Sequence, residues 1–318
     1  MPAPKRNDLL TAGCGFLMGA ADIVPGVSGG TVALILGIYE RLLGAISNID
    51  AEFFRRLRRG QWSSAAAHAD LRFLVVLAAG IGVALVSLAK LMHYLLEHQR
   101  SYTYAAFFGL ILASGVLVGR MCRPKSSAAA AGCVVLGVIA ARAAFVLVSQ
   151  DRLTAQPGMG YTFFSGAVAI CAMILPGVSG SYLLLMLGKY HEITGIIKDL
   201  PKLAVSGDQL ATLAVFAVGC LAGLLLFSRV LKLLLAKYHA TTMAVLCGFM
   251  VGSLYKIWPF QTDTTPEVEK FKEKIFEPIW PELSSEELLP CLAIAVVAFV
   301  AVLSIDAVAR RMGSPIGD

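Results

Sequence analysis

The feature that most constrains this chain is a cluster of helix-breaking and small polar residues that occurs twice. The first copy reads Pro25-Gly26-Val27-Ser28-Gly29, and the same five residues return 151 positions later, at 176–180. Among the 25 residue pairs from Gly15 and Gly166 to Tyr39 and Tyr190, 12 are identical. Two unrelated apolar segments would not share so many positions, so the sequence indicates an internal duplication.

The composition places this duplication in a membrane. Of 318 residues, 57% are hydrophobic and only 15% are charged, which is too apolar for a soluble domain. Alternating strand patterns are absent, so we predict an all-α polytopic membrane protein. Its six full transmembrane helices follow the runs that are long enough to cross a core of ~30 Å, at about 71–97, 102–119, 128–149, 209–236, 240–257 and 287–309.

Several classes of function are excluded at this stage. The net charge of +6 comes from cations at the ends of apolar runs, which membrane topology explains, so we expect no nucleic-acid partner. The seven cysteines show no paired spacing and lie mostly within apolar runs, which argues against a metal site or a disulfide framework. No catalytic triad, nucleotide loop or paired carboxylate emerges. We therefore expect no catalytic residue, no metal, no cofactor and no enzymatic activity.

Each breaker cluster lies between two apolar segments, which form either a re-entrant hairpin or one broken crossing. With hairpins at 9–47 and 160–198, each repeat has a hairpin plus three crossings, so repeats 1–150 and 151–318 insert with opposite orientation. Both termini then share one side, which collects 16 of the 27 lysines and arginines and is therefore cytoplasmic. The polar loop 258–287 is then extracytoplasmic.

A model with broken crossings and an outside N-terminus also places 16 basic residues inside. Three of them, Lys270, Lys272 and Lys274, alternate with glutamates in a loop distant from any membrane edge. Without these three the hairpin model leads by 16 to 13, so the charge distribution favours the inverted repeat.

Non-helical backbone at membrane depth marks a binding site, because its amides need a partner from protein, water or ligand. In each copy a new helix begins after Pro-Gly, and its first amides have no partner within the helix. Together with the nearby hydroxyls, these amides are suited to binding an anion such as phosphate or carboxylate. Hairpins entering from opposite faces would bring both tips to one pocket. The alternative is that these small residues only let the tips pack tightly. The candidate substrate-binding residues are Gly26, Val27, Ser28, Gly29, Gly30, Thr31, Gly177, Val178, Ser179, Gly180 and Ser181.

Two charged residues are further candidates. Arg142 lies inside the run 128–149, where an arginine is costly enough to indicate an anion partner or an ion pair, unless it extends to the membrane surface. Asp22 precedes Pro25 by one turn and either exchanges protons during transport or caps the hairpin tip. The second copy has Met173 at the position of Asp22, so the carboxyl group is not a symmetric requirement.

The segment from Met18 to Thr31, followed by Gly37-Ile38-Tyr39-Glu40, resembles the signature of the bacterial polyprenyl-phosphate transporter family. The resemblance implies transport of undecaprenyl phosphate, the lipid carrier of cell-wall precursors, back to the cytoplasmic leaflet for reuse. It also implies a multi-pass protein of the bacterial inner membrane, surrounded by phospholipids. The oligomeric state stays open, a homo-oligomer included.

The breaker clusters are also similar to the Pro-Gly-x-Ser-Arg-Ser loop of undecaprenyl pyrophosphate phosphatases. Gly29 and Gly180 stand where that loop has its arginine, and no paired glutamates are present. A phosphate site without a basic clamp and a general base suits transport better than hydrolysis. A transporter of small soluble anions and, less favoured, a lipid-pyrophosphate phosphatase remain the alternatives.

Overall fold

A computed structural model describes residues 8–23, 28–149, 158–200, 205–265, 267, 276–282 and 286–311. Two three-residue strands, β1 (Gln261–Asp263) and β2 (Phe276–Pro278), pair in antiparallel fashion. The helices are α1 (Asp8–Asp22), α2 (Gly29–Ile35), α3 (Tyr39–Ser47), α4 (Ala51–Arg58), α5 (Trp62–His68), α6 (Leu71–His98), α7 (Arg100–Met121), α8 (Ser127–Ser149), α9 (Met159–Ile174), α10 (Gly180–Met186), α11 (Tyr190–Asp199), α12 (Gly207–Ser253) and α13 (Leu288–Arg311).

The fold class agrees with the composition. Within the described residues, α6, α7, α8 and α12 are long and apolar enough to cross a membrane, and shorter apolar helices occur at Met159–Ile174 and Leu288–Ser304. A further apolar pair, α2 and α3, is bent by 116°. The chain is therefore an all-α polytopic membrane protein, with β1 and β2 as a small addition in the polar loop.

The two runs predicted at 209–236 and 240–257 are joined in the 47-residue helix α12. Tyr238 interrupts this helix with non-helical angles (φ −131°, ψ 46°), dividing it into α12a (207–237) and α12b (239–253). Gln99, between α6 and α7, has nearly the same angles (φ −133°, ψ 42°). The two residues are 139 positions apart, which is also the separation of Gly80 and Gly219. The same interruption of the helical backbone thus occurs in both halves of the chain, at positions 139 residues apart.

Helix contacts through glycine recur at these offsets as well. On α6, a Cβ added to Gly80 would lie 2.2 Å from the Ala12 carbonyl oxygen of α1. In the second copy, a Cβ added to Gly219 of α12a would lie 2.2 Å from the Phe163 carbonyl oxygen of α9. The missing side chains allow backbone-to-backbone approach, which drives helix association in lipid. Helices α1 with α6 and α9 with α12a therefore form equivalent pairs.

The last helix of each predicted repeat packs on the other repeat. Gly248 of α12b meets α8, where an added Cβ would lie 2.1 Å from the Gly137 carbonyl oxygen. Gly109 of α7 meets α13, with the Ala295 carbonyl oxygen also 2.1 Å from an added Cβ. Helices α8 and α13 are thus exchanged between the two halves of the chain.

Two cations of α12a hold the carboxyl end of α3. Arg229 donates to the carbonyl oxygen of Ile49 at 3.0 Å, and Lys232 donates to Oδ1 of Asn48 at 3.0 Å. Cations at a helix C-terminus satisfy exposed carbonyl groups and favour the helix dipole. These residues join α12a to the end of α3.

The basic segment that follows α3 forms α4, which carries Arg55, Arg56 and Arg58 in its last turn. Asp50 caps this helix by accepting from the Phe53 N–H at 2.9 Å. That hydrogen bond, together with His68, holds the pKa of the Asp50 carboxyl below its ordinary value. Phe53 is buried, whereas Phe54 on the next position is 51% exposed. The helix therefore has one face on the protein and an apolar residue on its outer surface.

Candidate functional site

The first breaker cluster is organised around the start of α2. Ser28 is the N-cap of this helix, and its Oγ accepts from the Gly30 N–H at 3.1 Å. Asp22, at the end of α1, accepts from the Gly29 N–H through Oδ1 at 2.7 Å. The carboxyl group therefore caps the start of α2, and a capping role is one of the two considered for it. Residues 24–27, and with them the predicted site residues Gly26 and Val27, lie outside the described residues.

The second cluster is similar in outline but more exposed. Gly177 adopts a left-handed φ of +83°, which permits the turn after α9. Ser179 is the N-cap of α10, and its Oγ accepts from the Tyr182 N–H at 3.4 Å. The hydroxyl groups of Ser179 and Ser181 are hydrogen-bonded at 3.0 Å on the exposed side of this turn. Val178 and Gly180 are buried.

The two clusters contact each other directly. The hydroxyl of Ser28 lies 3.2 Å from the Met173 carbonyl oxygen and 3.3 Å from that of Leu175, to which it donates. In the other direction, the Gly177 N–H donates to Oγ1 of Thr31 at 2.9 Å. The structure thus brings together the two distant segments that the duplication singled out.

Close packing supports this contact. Gly30 faces the second tip, and a Cβ added there would lie 2.5 Å from the Ile174 carbonyl oxygen. The same oxygen accepts from the Tyr39 hydroxyl at 3.0 Å, and the Tyr39 side chain is only 1% exposed. A small residue and a buried hydroxyl therefore hold the end of α9 from two sides.

The hydroxyl groups of the two copies have different surroundings. Ser28 and Thr31 are each 1% exposed, and both are engaged in joining the tips. Ser181 is exposed and Ser179 is half-buried, so the second copy presents the more accessible hydroxyl groups.

Arg142 is placed differently from the cluster residues. Its side chain is exposed on α8, with the guanidinium carbon 5.3 Å from the centre of the Phe145 ring. The contacts that join the two tips do not include this residue. Its role toward an anion stays a prediction.

Comparison with known proteins identifies the family. Residues 18–275 match the family described as "VCA0040-like: Undecaprenyl phosphate translocase-like". The chain belongs to this family. The matched residues begin within α1 and include both breaker clusters, so the family covers the whole of the candidate site. The resemblance found in the sequence is thereby confirmed.

Two curated members of the family are similar over most of their length. A "Polyprenyl-phosphate transporter" of Vibrio cholerae serotype O1 is 38% identical over 275 residues, which are 86% of this chain and 85% of that protein. A "Polyprenyl-phosphate transporter" of Staphylococcus aureus is 34% identical over 253 residues, which are 77% of this chain and 84% of that protein. No solved structure matches the chain significantly. Membership in this family supports a transporter and not an enzyme.

Sequence reasoning missed two residues that the structure places at the site of this family member. Tyr39 recurs as Tyr190 in the duplication, and that recurrence was a usable signal for its contact with the second tip. Lys256 gave no such signal, since it lies at the end of an apolar run where a lysine is ordinary. In the structure its ammonium lies 4.7 Å from the centre of the Tyr182 ring, beside the second cluster.

Proposed function

We propose that this protein transports undecaprenyl phosphate from the outer to the cytoplasmic leaflet of the bacterial inner membrane, so that the lipid carrier is reused in cell-envelope synthesis. The observation that carries the proposal is the direct contact between the duplicated clusters, formed by Ser28, Thr31 and Gly177. The names of the two relatives support the substrate. The polyprenyl tail stays in the lipid while the phosphate passes between the tips.

The phosphate binds to amides and hydroxyls of both clusters. Ser179 and Ser181 offer the accessible donors, while the hydroxyls of Ser28 and Thr31 exchange their internal partners for the phosphate as the tips separate. Arg142, on α8, provides a positive charge to the phosphate at a later stage of the transport cycle. The proposed binding residues are those of the first copy (Gly26, Val27, Ser28, Gly29, Gly30, Thr31), those of the second copy (Gly177, Val178, Ser179, Gly180, Ser181) and Arg142.

Alternating access arises from rocking of two inverted repeats, 1–150 and 151–318, around this site. One observation supports re-entrant hairpins at 9–47 and 160–198. Helix α1 packs on α2 and α9 packs on α10, as the two arms of a hairpin would.

The topology assigns both termini to the cytoplasm and loop 258–287 to the outside. Single cysteines from Asp50→Cys and Met312→Cys, introduced one at a time into a variant without native cysteines, test this assignment. We expect a membrane-impermeant thiol reagent to label both positions only from the cytoplasmic face. Labelling of both from the outside would exclude the topology.

The transport activity is tested with purified protein in lipid vesicles. We expect labelled polyprenyl phosphate to move between leaflets faster than in protein-free vesicles, with no release of phosphate from polyprenyl pyrophosphate. Inorganic phosphate enclosed in the same vesicles should stay inside. Phosphate release at an enzymatic rate would identify a phosphatase, and efflux of inorganic phosphate without lipid movement would identify a small-anion transporter.

Asp22 is proposed to couple transport to protons in addition to capping the tip. Asp22→Asn retains an oxygen that accepts from the Gly29 N–H, so the cap survives while the charge is lost. We expect an imposed pH gradient to change the initial transport rate of the wild type but not of this variant. Asp208→Asn, at an exposed carboxyl group on α12, is the matched control and should respond like the wild type. A wild-type rate that is indifferent to the gradient would remove the coupling hypothesis.

A further inference from the structure

Lys256 brings a positive charge to the second breaker cluster from a distant part of the chain. It lies three positions beyond Ser253, the last residue of α12, just before the polar loop. Its Nζ is 4.7 Å from the centre of the Tyr182 ring. Tyr182 follows Ser181 directly and donates its N–H to the Ser179 hydroxyl at 3.4 Å. The ammonium group therefore contacts the side chain of the residue that directly follows the accessible hydroxyl pair in the chain.

The position of Lys256 is fixed by hydrogen bonds from the polar loop. Its carbonyl oxygen accepts from Nε2 of Gln261 at 2.9 Å. Oε1 of Gln261 in turn accepts from Nη2 of Arg100 at 3.0 Å. Arg100 is itself held over the rings of Tyr104 and Phe276, whose centres lie 5.1 Å and 3.0 Å from its guanidinium carbon. The short sheet thus connects α7 to Lys256 and limits its movement.

The charge of Lys256 has no carboxylate partner in the part of the chain that the structure describes. Its side chain is half-buried, so water screens the ammonium only in part. The face of Tyr182 compensates some of the lost hydration, because an aromatic ring attracts a cation. A half-buried ammonium that contacts an aromatic ring and has no carboxylate partner among the described residues is suited to binding an anion.

The breaker clusters themselves lack a cation. Glycine stands at positions 29 and 180, where the similar loop of the lipid-pyrophosphate phosphatases has arginine. Lys256 supplies a positive charge to the second cluster from the segment that follows α12, and not from within the breaker cluster itself. A single ammonium favours reversible binding of a phosphate monoester, whereas a bidentate arginine would hold it more rigidly.

We propose that Lys256, held against Tyr182, binds the phosphate group of the lipid together with the hydroxyls of Ser179 and Ser181. This inference rests on the proposed function, and it adds the residue that distinguishes a charged polyprenyl phosphate from an uncharged polyprenol. Because Lys256 lies two residues before the loop 258–287 that is assigned to the outside, it acts when the phosphate enters from the outer leaflet.

The test measures binding of a short-chain polyprenyl phosphate and of the matching polyprenol to purified full-length protein in detergent. We expect Lys256→Gln to weaken binding of the phosphate by about tenfold or more, because a hydrogen bond from a charged donor to an anion is much stronger than one from a neutral amide. Binding of the uncharged polyprenol should not change. Lys256→Arg should recover most of the affinity. Lys198→Gln, at an exposed lysine of α11, is the matched control and should bind both lipids like the wild type.

The outcomes separate this inference from the function on which it rests. If the wild type binds polyprenyl phosphate and Lys256→Gln binds it equally well, the role of Lys256 is wrong and the proposed function stands. If both lipids lose affinity in Lys256→Gln, the residue supports the fold and does not select phosphate. If the wild type shows no affinity for polyprenyl phosphate but binds inorganic phosphate, the lipid function fails as well.

Discussion

Gly30→Ala is expected to reduce the transport rate by about tenfold or more. The added Cβ would lie 2.5 Å from the Ile174 carbonyl oxygen, a backbone atom that cannot rotate away. Inserting a methyl group into a well-packed contact costs about 1–3 kcal/mol. The variant therefore separates the two tips and weakens the hydrogen bond between Gly177 and Thr31. The measurement is the initial rate of polyprenyl phosphate movement between the leaflets of vesicles.

Gly44→Ala is the matched control for this experiment. Gly44 lies within α3, close in sequence to Gly30, and an added Cβ there meets no atom within 4 Å. Alanine is also preferred over glycine inside a helix by about 0.5–1 kcal/mol. We expect a rate at or above that of the wild type. Equal rates for Gly30→Ala and Gly44→Ala would show that tight contact between the tips is not required for transport.

Gly248→Ala is expected to lower the free energy of unfolding by at least about 1–3 kcal/mol. Its Cβ would lie 2.1 Å from the Gly137 carbonyl oxygen and 3.0 Å from the Ala140 Cβ, so α8 would have to move away from α12b. The effect should appear as a lower midpoint of thermal unfolding in detergent, measured on purified protein. Transport should fall along with stability, because this contact holds a helix of one half on the other half.

The control for the helix contact is Gly132→Ala, also on α8. An added Cβ at Gly132 has no heavy atom within 4 Å, so the unfolding midpoint should stay unchanged or rise slightly. A normal midpoint for Gly248→Ala would mean that α8 and α12b do not pack closely in the membrane. That result would question the exchange of helices between the halves.

The parts of the fold that could be predicted from the sequence are those that depend on local pattern. The apolar run at 71–97 became α6, Leu71–His98, because an uninterrupted apolar segment in lipid must satisfy its own backbone. The duplication of the breaker cluster predicted that its two copies lie together at one site. The contact between Thr31 and Gly177 agrees with that interpretation. Such features can be recognised from a short stretch of sequence or from a constant separation between repeated residues.

Other parts depend on contacts that no local pattern reveals. Whether the hydroxyl of Ser28 faces a ligand or a carbonyl oxygen depends on where residues 173–175 lie, about 145 positions away. The approach of Lys256 to Tyr182 depends on the end of α12 and on the small sheet. The strand Phe276–Pro278 lies in a loop whose apolar residues are too few to show alternation. Such features become visible only when distant segments are placed in space.

The exchange of α8 and α13 has a consequence for biogenesis. Helix α8 leaves the ribosome long before α12b, the helix on which it packs, and Gly137 and Gly248 are separated by more than a hundred residues. Contacts between residues so far apart in the chain form slowly, and the packing surface of α8 stays exposed until α12b is in place. Neither half can then reach its final packing alone. Two fragments divided between α8 and α9 would have to be synthesised in the same cell to assemble.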